Sequence, residues 1–325
     1  MDEPPASPQP PGRSPQPVAR RLRSYTSLGG GLLRSFSEFH NIYRFKSRPE
    51  AGVIRGLIDG LRVVEDYYER TTGRDLRGLS VLDIGPGQNL SQSKYFSAFN
   101  DVVAIDLDFL PDRAGPSAYW QILRRNGARR AMKSLARGLL GLDARFDREL
   151  RRQLEGPTFR PIRRCQMDAA RIGLADRRFD LVYSCSVFEH LETPQPVLAE
   201  SRRLLRPGGV AYHIIHPYTS ENGNHDPRVF SGNRSQIPYW AHLRPVHAHA
   251  TWSNAYLNRL RLADWRSVCR DALEGLDYEF LVYRTQDQAL ISALHGIRAG
   301  GDLGDFDDEE ILMTAIVVRW IAPTR

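Results

Sequence analysis

"VLDIGPGQN", residues 81–89, decides how the rest of the chain reads. Ser80–Ile84 has the short apolar run of a buried strand, and it ends in two glycines flanking Pro86. Gly85 and Gly87 permit a tight turn and leave the backbone bare, so a ligand can approach with no Cβ in the way. In an open α/β sheet ligands bind outside the carboxyl ends of the strands. A strand that empties into such a loop therefore marks the binding end of a sheet.

Outward from this loop, strands and helices alternate. Upstream, Ser47-Arg48-Pro49-Glu50 reads as a capped helix start, followed by Val53, Ile54, Leu57, Ile58, Leu61 and Val64 at helical spacing, with Gly73 as the stop. Downstream, the patterns predict a helix over Gln88–Phe99, a strand over Asp101–Asp106 and a strand near Arg164–Met167. Strands at Phe179–Ser184 and Gly209–His216 follow, with a helix around Pro196–Leu205 between them. A helix at Leu262–Leu273 and strands at Tyr278–Tyr283 and Ile311–Ile321 complete the series. Alternation of this kind predicts an α/β, Rossmann-like, mostly parallel sheet covered by helices on both faces. Residues 1–18, with seven prolines, read as a disordered tail, and 19–75 as an N-terminal helical segment. The domain proper is expected over 76–325, with insertions at 109–163 and 217–261.

Acids close the first three strands. Asp106 falls 19 residues after Gly87, where a carboxylate can accept from both ribose hydroxyls of an adenosine. Leu90 stands where a nicotinamide-binding fingerprint wants its third glycine. Asp83, just before the loop, would repel a pyrophosphate but favours an ammonium or sulfonium. "CQMDAARI" places Asp168 at the third strand's end, within reach of an adenine amino group.

With these residues in view, the chain resembles the class I S-adenosylmethionine-dependent methyltransferases. "VLDIGPGQN", "VVAIDLD", "CQMDAARI", "RRFDLVYSCSVFEHLETP" and "AESRRLLRPGGVAYHIIHP" stand in that superfamily's order. The resemblance covers about residues 50–108 and 162–322 and implies seven strands, the last antiparallel. It implies that S-adenosylmethionine is the cofactor: Asp83, Gly85 and Gly87 would line its methionine part, and Asp106 and Leu107 its ribose and adenine. By the same likeness Asp168 and Ala169 would contact the adenine, and Ser184 would lie at the rim below the sulfonium. The connection from Asp106 to Asp168 is longer than usual and carries the insertion, which loosens the register of the third strand.

Composition narrows the setting. The chain is 325 residues, 41% hydrophobic and 26% charged, with a net charge of +7, an ordinary globular make-up. The longest apolar run, Ile311 to Val318, is broken by Thr314, too short for a membrane span. The N-terminus opens on acids and prolines rather than a basic leader. Three widely spaced cysteines suit a reducing cytosol, so a cytoplasmic protein is expected. Phe109 to Arg164 holds 14 Lys/Arg against 5 Asp/Glu. There Tyr119, Trp120, Ile122, Leu123, Met132, Leu135, Leu139 and Leu140 alternate with arginines as a basic amphipathic helix pair. That pattern fits the inner face of an anionic membrane or a phosphate-linked substrate, and equally a plain solvated face.

The acceptor side is read from histidines and aromatics. His216 ends the fifth strand and His190 follows the fourth, so these two are the candidate general bases for removing a hydroxyl proton. His213 lies inside the strand and is expected to be packed there. No metal is assigned: His225, Asp226, His242, His247 and His249 fit no standard ligand spacing. Residues 217–261 bring Tyr218, Phe230, Tyr239, Trp240, Trp252 and Tyr256 together with Asn224, Asn233, Asn254 and Asn258. Rings with amides suit a sugar; a lid packed on its own aromatics is the alternative. The expected activity is O-methylation of a sugar, glycan or hydroxylated metabolite. An RNA methyltransferase and a non-catalytic cofactor-binding subunit remain as alternatives. The first lacks a recognisable RNA-binding module, so nucleic acid is not an expected partner, and the oligomeric state stays open.

Overall fold

The computed structural model describes residues 51–324, apart from 113–114, 231–236 and 254. The proline-rich tail, the first part of the N-terminal segment, Asn233 and Asn254 lie outside the described residues. In chain order the principal elements begin with α1 (Ala51–Thr72), β1 (Ser80–Ile84), α2 (Ser91–Ser97) and β2 (Asp101–Asp106). The insertion follows as α3 (Pro116–Asn126), α4 (Ala128–Leu139) and α5 (Leu142–Gln153). Then come β3 (Arg163–Gln166), β4 (Phe179–Cys185), α6 (Gln195–Leu204), β5 (Leu205–Ile215) and α7 (Leu262–Ala272). The chain closes with β6 (Tyr278–Arg284), α8 (Gln288–Ala299) and β7 (Met313–Ile321).

The strands form one seven-stranded sheet in the order β3-β2-β1-β4-β5-β7-β6. β7 runs antiparallel to both neighbours, and β1 to β5 pair in parallel. The expected α/β, mostly parallel sheet with an antiparallel last strand is the fold observed. The order reverses between β1 and β4, which opens a crevice above their carboxyl ends and so above the 85–90 loop.

Side-chain alternation sorts the core onto two faces. Val81, Val102, Leu181, Tyr183, Val210 and Tyr212 meet α1 and α2. Leu82, Ile84, Val103, Ile105, Val182 and Ala211 meet α6 and α7. On α1 the residues Ile54, Ile58, Leu61 and Val64 are buried as their spacing requires, whereas Val53 is 58% exposed. Each buried aliphatic contributes about 1.5–3 kcal/mol, so Leu61→Asp would detach this helix.

Three starts and one helix depart from the sequence reading, each for a local reason. The helix expected over Gln88–Phe99 starts only at Ser91, because Leu90 turns left-handed at φ 52°. β5 starts at Leu205; it pairs with Phe179, and residues 206–209 then bulge out before Val210 meets Leu181. β7 starts at Met313, because the Asp307 side chain accepts from Glu310 N and winds Asp308–Ile311 into a helical turn. α8 was not anticipated, although the Asp287 carboxylate accepts from Ala289 N and Leu290 N as an N-cap. The insertion holds the expected helix pair, α3 and α4, and α5 as a third helix.

Candidate active site

The loop after β1 makes the floor of a cavity of about 340 Å³, the size of a small-ligand pocket. Gly85 and Gly87 have φ of +67° and +66°, the left-handed region that glycine occupies without strain. A Cβ on Gly85 would sit 2.5 Å from Val187 Cγ2, so β1's loop and β4's loop touch here because the residue is glycine. Beneath them Asp83 is 1% exposed and accepts from Ser93 Oγ at 2.5 Å. Burial, with the nearby Asp106 charge adding to it, raises the Asp83 carboxyl to about 7.

Asp106, at the end of β2, lines the cavity beside Leu107. Its oxygens accept from Asp108 N at 2.8 Å and Gly87 N at 3.3 Å. Two acceptor sites therefore remain for a diol. Burial lifts this carboxyl to about 6, opposed by the hydrogen bond from Asp108 N and by Arg130, with the Asp108 charge adding. Asp168 and Ala169 line the same cavity, and Asp168 Oδ1 also accepts from Ala170 N at 2.9 Å, so it caps its own turn. The register stays in place despite the insertion, because β3 pairs Gln166 with Asp106.

The opposite wall is built after β4 and β5. Ser186, at φ 57°, turns the chain out of β4 and lines the cavity with Val187. The Phe188–His190 turn follows, and His190 also faces the cavity. Its Nδ1 donates to Tyr256 O at 2.7 Å, which leaves Nε2 as the acceptor nitrogen of the neutral ring. His216 Nδ1 lies 2.6 Å from Ser186 Oγ, and the ring stands behind that hydroxyl rather than on the cavity wall. Burial pushes both histidines below their ordinary value. Ser184 is fully buried, bonded to His213 Nδ1 at 2.8 Å, and does not line the cavity; Ser186 holds the rim instead. His213 is packed between Phe188 and Trp320, as its place within the strand implies, and burial lowers it to about 3.

Two groups escaped the sequence reading. Arg130 and Lys133 of α4 line the cavity, so the basic insertion reaches the site. Ser134 Oγ donates to Gln88 Oε1 at 2.9 Å and Arg137 donates to Asn89 Oδ1 at 2.8 Å, which ties α4 to the glycine loop. The second is Glu189, 1% exposed, with His216 Nδ1 3.8 Å and His225 Nε2 3.9 Å from its Oε1. Its neighbour His190 drew attention as a base, whereas a lone acid in "FEH" gave no signal of its own.

Residues 217–261 are partly spent on structure. Trp240 is fully buried with Leu294, Leu303, Ile311 and Leu312, and its Nε1 donates to Ile311 O. Asn258 donates to Phe188 O and Leu191 O, which pins this region to the turn that carries His190. Asp226 is taken up by Arg228 and by Trp252 N, and His242 Nε2 bonds Tyr218 O. These residues do not assemble with His247 and His249. Among this region's residues, Ala255 lines the cavity.

A family model described as a methyltransferase domain matches residues 125–213. Among solved structures, the chain is similar to phosphoethanolamine N-methyltransferase 2 of Haemonchus contortus at 14% identity and TM-score 0.45, covering 94% of this chain and 60% of that one. It is similar to the YcgJ protein of Bacillus subtilis at 16% identity and TM-score 0.35, covering 76% and 93%. It is also similar to the CurJ carbon methyltransferase at 14% identity and TM-score 0.40, covering 80% and 53%. Among curated proteins none matches this sequence. The family match over residues 125–213, with the sheet order and the strand-end acids, supports an S-adenosylmethionine-dependent methyltransferase of the class I superfamily.

Proposed function

We propose that this methyltransferase acts on a hydroxyl oxygen of a sugar, glycan or hydroxylated metabolite. The observation that carries this reading is the Ser186 hydroxyl on the cavity wall, backed at 2.6 Å by His216 Nδ1. Bound over the glycine loop, S-adenosylmethionine supplies an electrophilic methyl carbon on a sulfonium. The floor suits it: Asp106 retains acceptor sites for a ribose diol, and Asp168 and Ala169 line the same cavity beside it, within reach of an adenine edge. Asp83, one layer below and raised to about 7 by burial, would hold its negative charge once an ammonium or sulfonium sits nearby.

On the acceptor side, Ser186 Oγ takes the proton of the attacking hydroxyl while it passes its own to His216 Nδ1. The acceptor oxygen would then take the methyl group from the sulfonium, and the proton would end on the His216 imidazole. A neutral imidazole is a competent base near pH 7. An amine acceptor would need less help, which is why the hydroxyl–imidazole pair favours oxygen.

The insertion supplies a substrate address. α3 and α4 expose Trp120, Leu123, Met132, Leu135 and Leu139 among arginines, and Arg124 lies over the Trp120 ring at 4.4 Å. No helix of the described residues is long and apolar enough to cross a membrane. We read this face as one that lies on an anionic membrane surface and presents a phosphate-linked acceptor to Arg130 and Lys133. Co-sedimentation with anionic and neutral vesicles at low and high salt tests it, and equal recovery with both vesicle types sinks the membrane part. For the chemistry, labelled S-adenosylmethionine is offered with hydroxylated sugars, lipid-linked glycans, amines and RNA. Label in an ether-linked sugar methyl supports the reading. Label in RNA, or cofactor binding with no turnover on any class, overturns it.

A further inference from the structure

We propose that Glu189, His190 and His225 form a binding site for one first-row divalent cation, with zinc the best fit, beside the acceptor wall of the cavity. One carboxylate oxygen and one nitrogen from each histidine lie within 4.8 Å of one another. The Glu189 Oε1 to His225 Nε2 distance is 3.9 Å. Ligands at about 2.1 Å from a tetrahedral zinc lie about 3.4 Å apart, so the set closes on a cation through side-chain shifts of an ångström or less.

Three features point to a ligand rather than to packing. Glu189 is 1% exposed, and among the described residues neither carboxylate oxygen has a side-chain hydrogen-bond partner; only the backbone N–H groups of Glu189 and His216 approach it. A buried carboxylate in that condition is costly unless a cation or proton meets it. The His190 ring is oriented by donation from Nδ1 to Tyr256 O at 2.7 Å, the arrangement that fixes the tautomer and frees Nε2 for a metal. The His190 and His225 rings lie edge to face with centroids 4.9 Å apart, and a nitrogen of each falls within 4.8 Å of the other and of a Glu189 oxygen. Two imidazoles and one carboxylate suit zinc and its neighbours with coordination positions left over; magnesium prefers all-oxygen sites. His216, 3.8 Å from Glu189 Oε1, already uses its Nδ1 for Ser186 and stands beside the set rather than in it.

The site does not depend on the identity of the acceptor, because metal binding is read without turnover. The test uses the full chain without an affinity tag, stripped with a chelator and titrated calorimetrically with Zn²⁺, Co²⁺ and Mg²⁺. The expected result is one equivalent of Zn²⁺ or Co²⁺ per chain, a visible Co²⁺ absorption band and far weaker Mg²⁺ binding. Glu189→Gln and, separately, His225→Ala should lower Zn²⁺ affinity by about 100-fold or more. Exposed His249→Ala should leave it unchanged. Thermal unfolding and S-adenosylhomocysteine binding show that each variant is folded. If Glu189→Gln does not fold, His225→Ala carries the test. No stoichiometric binding by the unaltered chain, or binding that survives His225→Ala in a folded protein, overturns the proposal. Loss of methyl transfer on every acceptor with metal binding intact would count against the O-methylation reading alone.

Discussion

The two sides of the cavity are made in different ways. The floor is continuous sequence: Asp83, Gly85 and Gly87 lie within five positions, and Asp106 bonds back to Gly87 N across one strand. The acceptor wall is assembled from distant segments, with Ser186 meeting His216, His190 meeting Tyr256, and Glu189 meeting both His216 and His225. The acids differ in the same sense. Asp83 and Glu189 are each 1% exposed, yet Asp83 accepts from Ser93 while the Glu189 oxygens have no such bond. Asp83 on the floor is thus hydrogen-bonded within the fold, whereas the Glu189 carboxyl on the wall, raised to about 8 by burial, lacks a side-chain bond of that kind.

If floor and wall divide the work as proposed, their variants should separate binding from chemistry. The largest effect is expected for His216→Ala. Loss of the relay should reduce kcat by about 10²–10⁴-fold with cofactor affinity unchanged, measured by steady-state kinetics beside calorimetry. A fall in cofactor affinity of similar size would erase the distinction. Next, Asp106→Ala should weaken S-adenosylhomocysteine binding by about 2–4 kcal/mol, since two hydrogen bonds to a carboxylate are lost. Unaltered affinity would mean that the ribose lies elsewhere.

A smaller effect follows from pH. Burial raises Asp106 from 3.8 to about 6. An acid raised in this way carries its negative charge above pH 6 and loses it below. Cofactor affinity should thus be full near pH 7.5 and decline as pH falls through 6, with Asp106→Asn flattening that part of the profile. Affinity that is constant between pH 7.5 and 5 would remove Asp106 from the floor. The smallest effect is expected at the seam between insertion and loop. Arg137→Ala removes the bond to Asn89 and the ion pair with Asp143, whose carboxylate is exposed while Arg137 is partly buried. It should cost about 1 kcal/mol or less, seen as a small fall in Tm with nearly intact cofactor binding.

The sequence's legibility follows the same line. β1 and β2 have the boundaries their patterns predict, since a buried strand between turn residues is a local signal. The strand-end acids at Asp106 and Asp168 come to the cavity as their positions imply. Ser184 was placed at the rim and lies in the sheet, because a turn at Ser186 with φ 57° shifts the exposed serine by two residues. Leu90 was read as the failed third glycine of another motif, although it takes a left-handed conformation itself. Trp240 was offered for sugar stacking and is spent on a buried cluster with α8, an element the pattern reading missed.

Periodicity, glycine placement and strand-end acids, all short-range properties of the chain, determined the doubly wound sheet, the glycine loop that opens onto the cavity and the charge of the insertion. Only the tertiary structure decided that α4 would bring Arg130 and Lys133 to the cavity, and that His225 would meet Glu189 and His190. The reason is physical. Backbone conformation and burial pattern are fixed by neighbours a few residues apart, whereas convergence of side chains from separate loops depends on how those loops pack over the finished sheet.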